Sequence, residues 1–270
     1  MAVGRSDGLI LPVPPAPFAL IIGAAMRRAS PDEMEQAIRQ MGLMPERIDR
    51  GDPTRGIPTF RLRFGALRWI AGPADASALD EVDPEQPLIS LLAASLPHDW
   101  RDGGHCWTFV PEDLRVPGAT TKPSVEGRDY FKAMLLLVDL FDASHFFWSP
   151  ARLWSDAPQF RASVAEMLTS GMPPVLHMVA FRRQDGDEGE AVVTRGLAWF
   201  AGQELEARIP AGWTVAKMVR RLARLALDMM LHGRFSGSRE LQGLAPGERI
   251  RLAAAGEGRR VVRVEFGPES

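Results

Sequence analysis

"TFRLRFGALRWIAG", residues 59–72, is the stretch that decides the fold class. Phe60, Leu62 and Phe64 alternate with Arg61 and Arg63, so an extended segment here has one apolar face and one cationic face. Gly65 supplies the backbone freedom for a tight turn, and "ALRWIAG" returns as a second strand. Strands joined so closely must run antiparallel, because a parallel pair needs a crossover of a dozen or more residues.

The rest of the chain extends that reading in both directions. "PFALIIGAA", residues 17–25, reads as a buried strand, and the Gly- and Pro-rich residues 1–16 as a flexible N-terminal arm. "SPDE", residues 30–33, opens a helix: Ser30 caps it, Pro31 fits its first position, Glu33 reaches back, and Gly42 ends it. Further on, a loop over 72–87 leads into a short helix near 88–96. A strand at 105–110, a loop at 111–123, a helix over 124–142 and the strand "SHFFWS" follow.

In the second half, Asp156, Pro158 and Gln159 start a helix that stops near Gly171. "PVLHMVAFRR" and "EAVVTRGLAWF" read as strands joined by the hairpin loop "QDGDEG", and "QELEARI" as another. Thr214 caps a long helix to His232, closed by Gly233. "ERIRLAA" and "RRVVRVEF" make a last hairpin across "AGEG". The order is not a strict β-α-β alternation, which argues against a doubly wound parallel sheet. The expected fold is α+β, with two mixed lobes of largely antiparallel sheet packed with helices, at 17–150 and 151–270, meeting near 143–157.

Composition narrows the function. A chain of 270 residues can bury a sizeable core, and 46% hydrophobic with 24% charged residues is the balance of a soluble globular protein. A net charge of −2 provides no global field for nucleic acid or an anionic membrane, and neither is expected as a partner. The longest early apolar run, "FALIIGAAM", is far short of the ~20 residues that span a bilayer. One cysteine forms no internal disulfide. The expected location is the cytoplasm.

Three groups of residues carry candidate chemistry. Cys106, the only cysteine, follows His105 in "DGGHCWTFVPED", residues 102–113. Successive strand residues point to opposite faces, so His105 is badly placed as its base, and Cys106 reads as a small buried apolar residue. The same alternation puts His105 with Trp107 and Phe109 on the core side. None of His98, His105, His145, His177 and His232 falls in a zinc-ligand spacing, and no cofactor or metal is expected.

Glu204 and Glu206 share a strand face about 6–7 Å apart by strand rise, a separation compatible with a carboxylate pair in glycoside hydrolysis. Any E-x-E strand produces it, and Leu205 between them points into the core. Third, the helix 214–232 has an apolar stripe of Val215, Met218, Val219, Leu222, Leu225, Ala226 and Met229, with Lys217, Arg220, Arg221 and Arg224 gathered on the other side. That basic stripe is either a docking face for an acidic partner or a solvated face neutralised by nearby acids. Seven tryptophans stand against one tyrosine, and most are expected in the core, leaving one or two as anchors for a partner.

"VVTRGLAWFAGQELEARIP", residues 192–210, resembles the T-x-G-L…F-G…E-L-E signature of a bacterial family of unknown function in the suppressor-of-fused-like superfamily. The matching positions are Thr194, Gly196, Leu197, Phe200, Gly202, Glu204, Leu205 and Glu206. The helix 214–232 and the tail "GLAPGERIRLAA…VVRVEF" look similar too, while Ala201 separates Phe200 from Gly202 where the family tends to have them adjacent. The resemblance implies a protein-binding module. Some relatives are proposed as immunity proteins beside secreted bacterial toxins, and no catalytic residues are established for the family.

The expectation is therefore a non-enzymatic protein-interaction module, an immunity or secretion-associated factor, with no catalytic residue. Its candidate surface comprises Lys217, Arg220, Arg221, Arg224, Glu204 and Glu206. Two alternatives stand beside it: a hydrolase with a scattered site around Cys106 or Glu204/Glu206, and a small-molecule sensor using a cleft between the lobes.

Overall fold

Phe60 and Leu62 are fully buried while Arg61 and Arg63 face the other way, so the 59–72 hairpin is built as its alternation requires. The computed structural model describes residues 12–48, 58–74, 88–89, 96–101, 104–112, 124–186, 189–254 and 260–267. Within them the architecture is α+β, with largely antiparallel sheets. The chain divides into two compact units, residues 1–177 and 178–270.

In the first unit, strands β1 (Pro12–Val13), β2 (Phe18–Ile21), β3 (Met44–Ile48), β4 (Thr59–Phe64), β5 (Leu67–Pro73), β6 (Leu88–Ile89), β7 (Cys106–Pro111), β8 (Val125–Glu126), β9 (His145–Trp148) and β10 (Leu153–Asp156) are present. Eight of them form one sheet in the order β3-β4-β5-β7-β2-β9-β10-β6, antiparallel except at the β10/β6 edge. β1 and β8 form a separate pair. Helices α1 (Ala24–Arg28), α2 (Pro31–Gln40), α3 (Gly127–Leu140), α4 (Ala157–Ser170) and α5 (Val175–Met178) complete the described elements up to the division.

Central strand β2 is buried at every residue, which means both faces of the sheet are covered. On one face Phe18 stacks on Phe109 at 4.8 Å, and Phe141 packs edge-on to Phe109 at 5.4 Å. Phe160 of α4 stacks on Phe146 at 4.0 Å on the same side. The other face carries Ala19, Ile21, Cys106, Phe147 and Trp154, closed over by Leu96 and Trp100. Trp69, Trp107, Trp148 and Trp154 are all core residues, each burying a large apolar area.

The second unit contains β11 (Ala180–Gly186), β12 (Gly189–Arg195), α6 (Leu197–Ala201), β13 (Glu204–Arg208), α7 (Val215–His232), β14 (Arg239–Gln242), β15 (Arg249–Ala254) and β16 (Val261–Phe266). Its six strands lie in the order β11-β12-β13-β16-β15-β14, with only β13/β16 parallel. Val192, Leu205, Ala207, Ile250, Leu252, Val262 and Val264 form the inner face. The α7 stripe of Met218, Leu222, Leu225, Ala226 and Met229 is buried with it.

Local signals are realised closely. Ser30 and Glu33 close a capping box on α2, with the Glu33 amide donating to Ser30 Oγ at 3.3 Å and the Ser30 amide donating to Glu33 Oε2 at 2.6 Å. Thr214 Oγ1 accepts from the Lys217 amide at 3.2 Å to start α7. Gly171 ends α4 at φ 77°, in the left-handed region that favours glycine.

Other expectations are corrected. The unit division falls at 177/178 and not at 150/151, because β10 pairs with β9 as a hairpin and α4 packs on both strands. The short helix expected near 88–96 begins instead as strand β6, paired with β10, and residues 90–95 lie outside the described residues. "GLAWF" is the helix α6 and not the end of a strand, and residues 175–178 form a helical turn ahead of β11. Both runs are apolar enough for either state; Gly196 at φ 96° breaks the first strand.

Of the expected N-terminal arm, residues 12–16 are tied to the body, and residues 1–11 lie outside the described residues. Pro12 and Val13 pair with β8, and the Tyr130 hydroxyl donates to the Ala16 carbonyl at 2.7 Å while accepting from its amide at 2.9 Å. The tip of the 184–189 loop and the "AGEG" turn also fall partly or wholly outside the described residues.

Candidate functional site

Cys106 opens β7 opposite Ile21, and its side chain sits among Ala19, Ile21, Ala74, Phe147 and Trp154. Burial pushes its thiol up to about 12, so the thiolate that would act as a nucleophile is suppressed. Cys106 is therefore a packing residue, and the cysteine version of the hydrolase expectation falls with it. His105 is not the core residue expected from the alternation. It lies in the turn before β7, half-buried, with Arg27 Nη1 at 2.9 Å from Nδ1 and Asp99 Oδ2 at 3.1 Å from Nδ1. A position one residue before the first ladder pair is not bound by the strand's alternation.

Glu204 and Glu206 lie on one face of β13, with Leu205 between them and Ala207 after them buried on the other, yet their carboxylates do different things. Glu204 turns to the start of α6. Its oxygens accept from the amides of Gly196 at 2.9 Å, Leu197 at 3.2 Å and Ala198 at 3.1 Å. The Thr194 hydroxyl donates to it at 2.7 Å and itself accepts from the Leu205 amide at 2.7 Å. A carboxylate that collects the free amides of a helix start is a cap supplied from a neighbouring strand.

The "TRGL…ELE" stretch is thus one local unit. β12 ends at Thr194 and Arg195, Gly196 turns at φ 96°, α6 runs over Leu197–Ala201, Gly202 turns out at φ 74°, and Glu204 closes the loop. Leu197 and Leu205 are fully buried beneath it, and Phe200 is half-buried. The side chain of Gln203 reaches across to the segment after α7: its Oε1 accepts from the Phe235 amide at 2.9 Å.

The four cations of α7 do not form one face. Arg220 and Arg224 are exposed, but Arg221 is 5% exposed. Arg221 Nε and Nη2 donate to Glu248 Oε1 and Oε2 at 2.5 and 3.0 Å, a bidentate pair with Glu248 fully buried. Burial opposes the Glu248 charge, but the bonds from Arg221 and from the Ala245 amide outweigh it and hold this carboxyl below the ordinary range. Lys217 Nζ and the Arg221 guanidinium lie over Trp213 at 4.5 and 4.3 Å from its centroid. Arg221 was legible as an exception: it stands three residues from Met218 and four from Leu225, beside the apolar stripe.

The open face of the second unit's sheet is a feature the sequence did not single out. Register places Arg182, Val193, Glu206, Arg263 and Ala253 in one row across five strands. Glu265, Arg251 and Glu240 form part of another row. Arg182, Arg208, Arg249, Arg251 and Arg263 are exposed there, against Glu206, Glu240 and Glu265. A concavity of about 710 Å³ lies on this unit, lined in part by Gln184, Glu206, Arg208, Arg263, Glu265 and Phe266. The signal was available: with Val262 and Val264 of "RRVVRVEF" inside, Arg263 and Glu265 must lie outside.

Two buried histidines in the first unit also went unforeseen. His177 accepts or shares a proton with Ser163 Oγ at 3.1 Å through Nε2, and burial pushes it down to about 4. His145 stands 3.6 Å from Asp156 and is lowered by burial against that carboxylate's pull. Among the described residues no three His, Cys, Asp or Glu side chains are grouped to hold a metal ion, and no helix is long and apolar enough to cross a membrane.

No family model, curated protein or solved structure matches the chain.

Proposed function

We propose that this chain is a non-enzymatic protein-binding module that meets an acidic partner through the open sheet face of its second unit. The observation that carries the reading is the excess of exposed arginine on that face, at regular strand spacing around a concavity of about 710 Å³. Charge arranged this way sets partner choice and association rate, and an extended acidic segment can address successive rows. The resemblance of residues 192–210 to the suppressor-of-fused-like family points the same way. An immunity or secretion-associated role follows from that resemblance.

Full-length chain, tagged and captured from cells that express secreted toxins, is expected to enrich one dominant acidic protein. The charge-reversed variant Arg251→Glu/Arg263→Glu is expected to lose it while keeping its circular dichroism. Equal enrichment by both chains, or none by either across several growth conditions, would overturn the reading.

A further inference from the structure

Arg63 and Arg68 face each other directly across the β4–β5 hairpin of the first unit. Like charges opposed in this way destabilise an antiparallel pair, so the arrangement calls for a compensating anion. None is supplied among the described residues. Arg63 Nε only approaches the Gly65 carbonyl, at 3.5 Å, and among the described residues the Arg68 side chain forms no hydrogen bond or ion pair.

Two carboxylates that share the concavity with this pair are already engaged. Arg61, two residues along the same strand face, binds Glu112 at 2.6 Å and Glu46 at 2.8 Å. Those pairs hold its guanidinium well above the ordinary arginine range, the Glu112 bond first and the Glu46 bond next. Glu46 and Glu112 are thus bonded to Arg61, and neither forms an ion pair with Arg63 or Arg68 among the described residues. All five side chains line one concavity of about 400 Å³ with Met44 and Pro45, and Met44, opposite Arg63, is 63% exposed at its rim.

From this geometry we infer an oxyanion-binding site at the tip of the β4–β5 hairpin, in which Arg63 and Arg68 grip a phosphate group from two sides. Two guanidinium forks present more donors than one carboxylate accepts in a single plane, whereas the oxygens of a phosphate accept from both. The ligand class is a small phosphate or phosphate monoester. Its neutralising charge removes the cross-strand repulsion when it binds. The site lies in the first unit and does not depend on the second unit's sheet face.

The test uses the full chain with inorganic phosphate as the probe. Melting temperature and phosphorus NMR line width are followed as phosphate is added, against chloride at matched ionic strength. Phosphate is expected to raise the melting temperature saturably and to broaden its own resonance. Arg63→Gln/Arg68→Gln is expected to weaken binding roughly tenfold or more, the scale of losing charged hydrogen bonds. The same variant, measured without phosphate at low salt, is expected to melt no lower than the parent, since the repulsion is gone. Arg63→Lys/Arg68→Lys, which keeps the charge and loses the forks, is expected to fall between the two. An identical response to chloride, or undiminished phosphate binding by the glutamine variant, would overturn the inference.

Discussion

Replacing Glu204 with alanine separates a structural carboxylate from a catalytic one. The substitution removes the acceptor for the Gly196, Leu197 and Ala198 amides and for the Thr194 hydroxyl. Loss of a helix N-cap costs about 1 kcal/mol. The bond from Thr194 is charge-assisted, and Thr194 is only 3% exposed, so its loss adds about 1.5–3 kcal/mol. The expected destabilisation is therefore roughly 2.5–4 kcal/mol, confined to the second unit. The Glu206 side chain has no hydrogen-bond or ion-pair partner among the described residues, and Glu206→Ala is expected to change stability by about 0.5 kcal/mol or less. The assay is urea unfolding of the full chain, with amide hydrogen exchange read in peptides covering 189–212. Glu204→Ala should lose protection there at low urea, while Glu206→Ala should match the parent. Equal behaviour of the two variants would refute the assignment of Glu204 as the cap of α6.

Other outcomes follow from the buried groups. Glu248→Ala leaves the Arg221 guanidinium buried without its partner and should cost roughly 3–5 kcal/mol. The double variant Arg221→Met/Glu248→Leu should recover most of that loss in the same urea measurement. Because folding lowers the Glu248 carboxyl from its ordinary 4.5, its contribution is complete above that pH and is lost as pH falls further; an acid titration of second-unit exchange checks this. His177 is held neutral, down from 6.5 to about 4, so the first unit should lose on the order of 3 kcal/mol as pH falls from 6.5 toward 4. His177→Leu should flatten that slope in melts recorded across the same window. Cys106 should resist iodoacetamide at pH 8 in the native chain and react fully in denaturant, as mass spectrometry would show.

The caps of α2 and α7 were legible because each depends on residues three apart, and so was the apolar face of the 59–72 hairpin, which depends on residues two apart. The strand alternation at β7 was legible too, but it predicted nothing about His105, which stands just outside the ladder. For α6, a short apolar run fits strand or helix equally, and the glycines on either side were the only local sign. In the candidate site, the E-x-E spacing put both carboxylates on one face but said nothing of where each would turn. The three amides that capture Glu204 come from another element.

What the sequence determined by itself was everything set by near neighbours: α+β character, the helix starts and stops, the hairpins, and a face for each strand residue. Only the tertiary structure decided which of those faces meet. It placed Glu248 against Arg221 across 27 residues, covered both sides of the sheet around Cys106, and left Arg63 opposite Arg68. The reason is physical. Periodicity fixes a side chain's direction relative to its own backbone, but burial, desolvation and pairing belong to whatever the fold brings up against it.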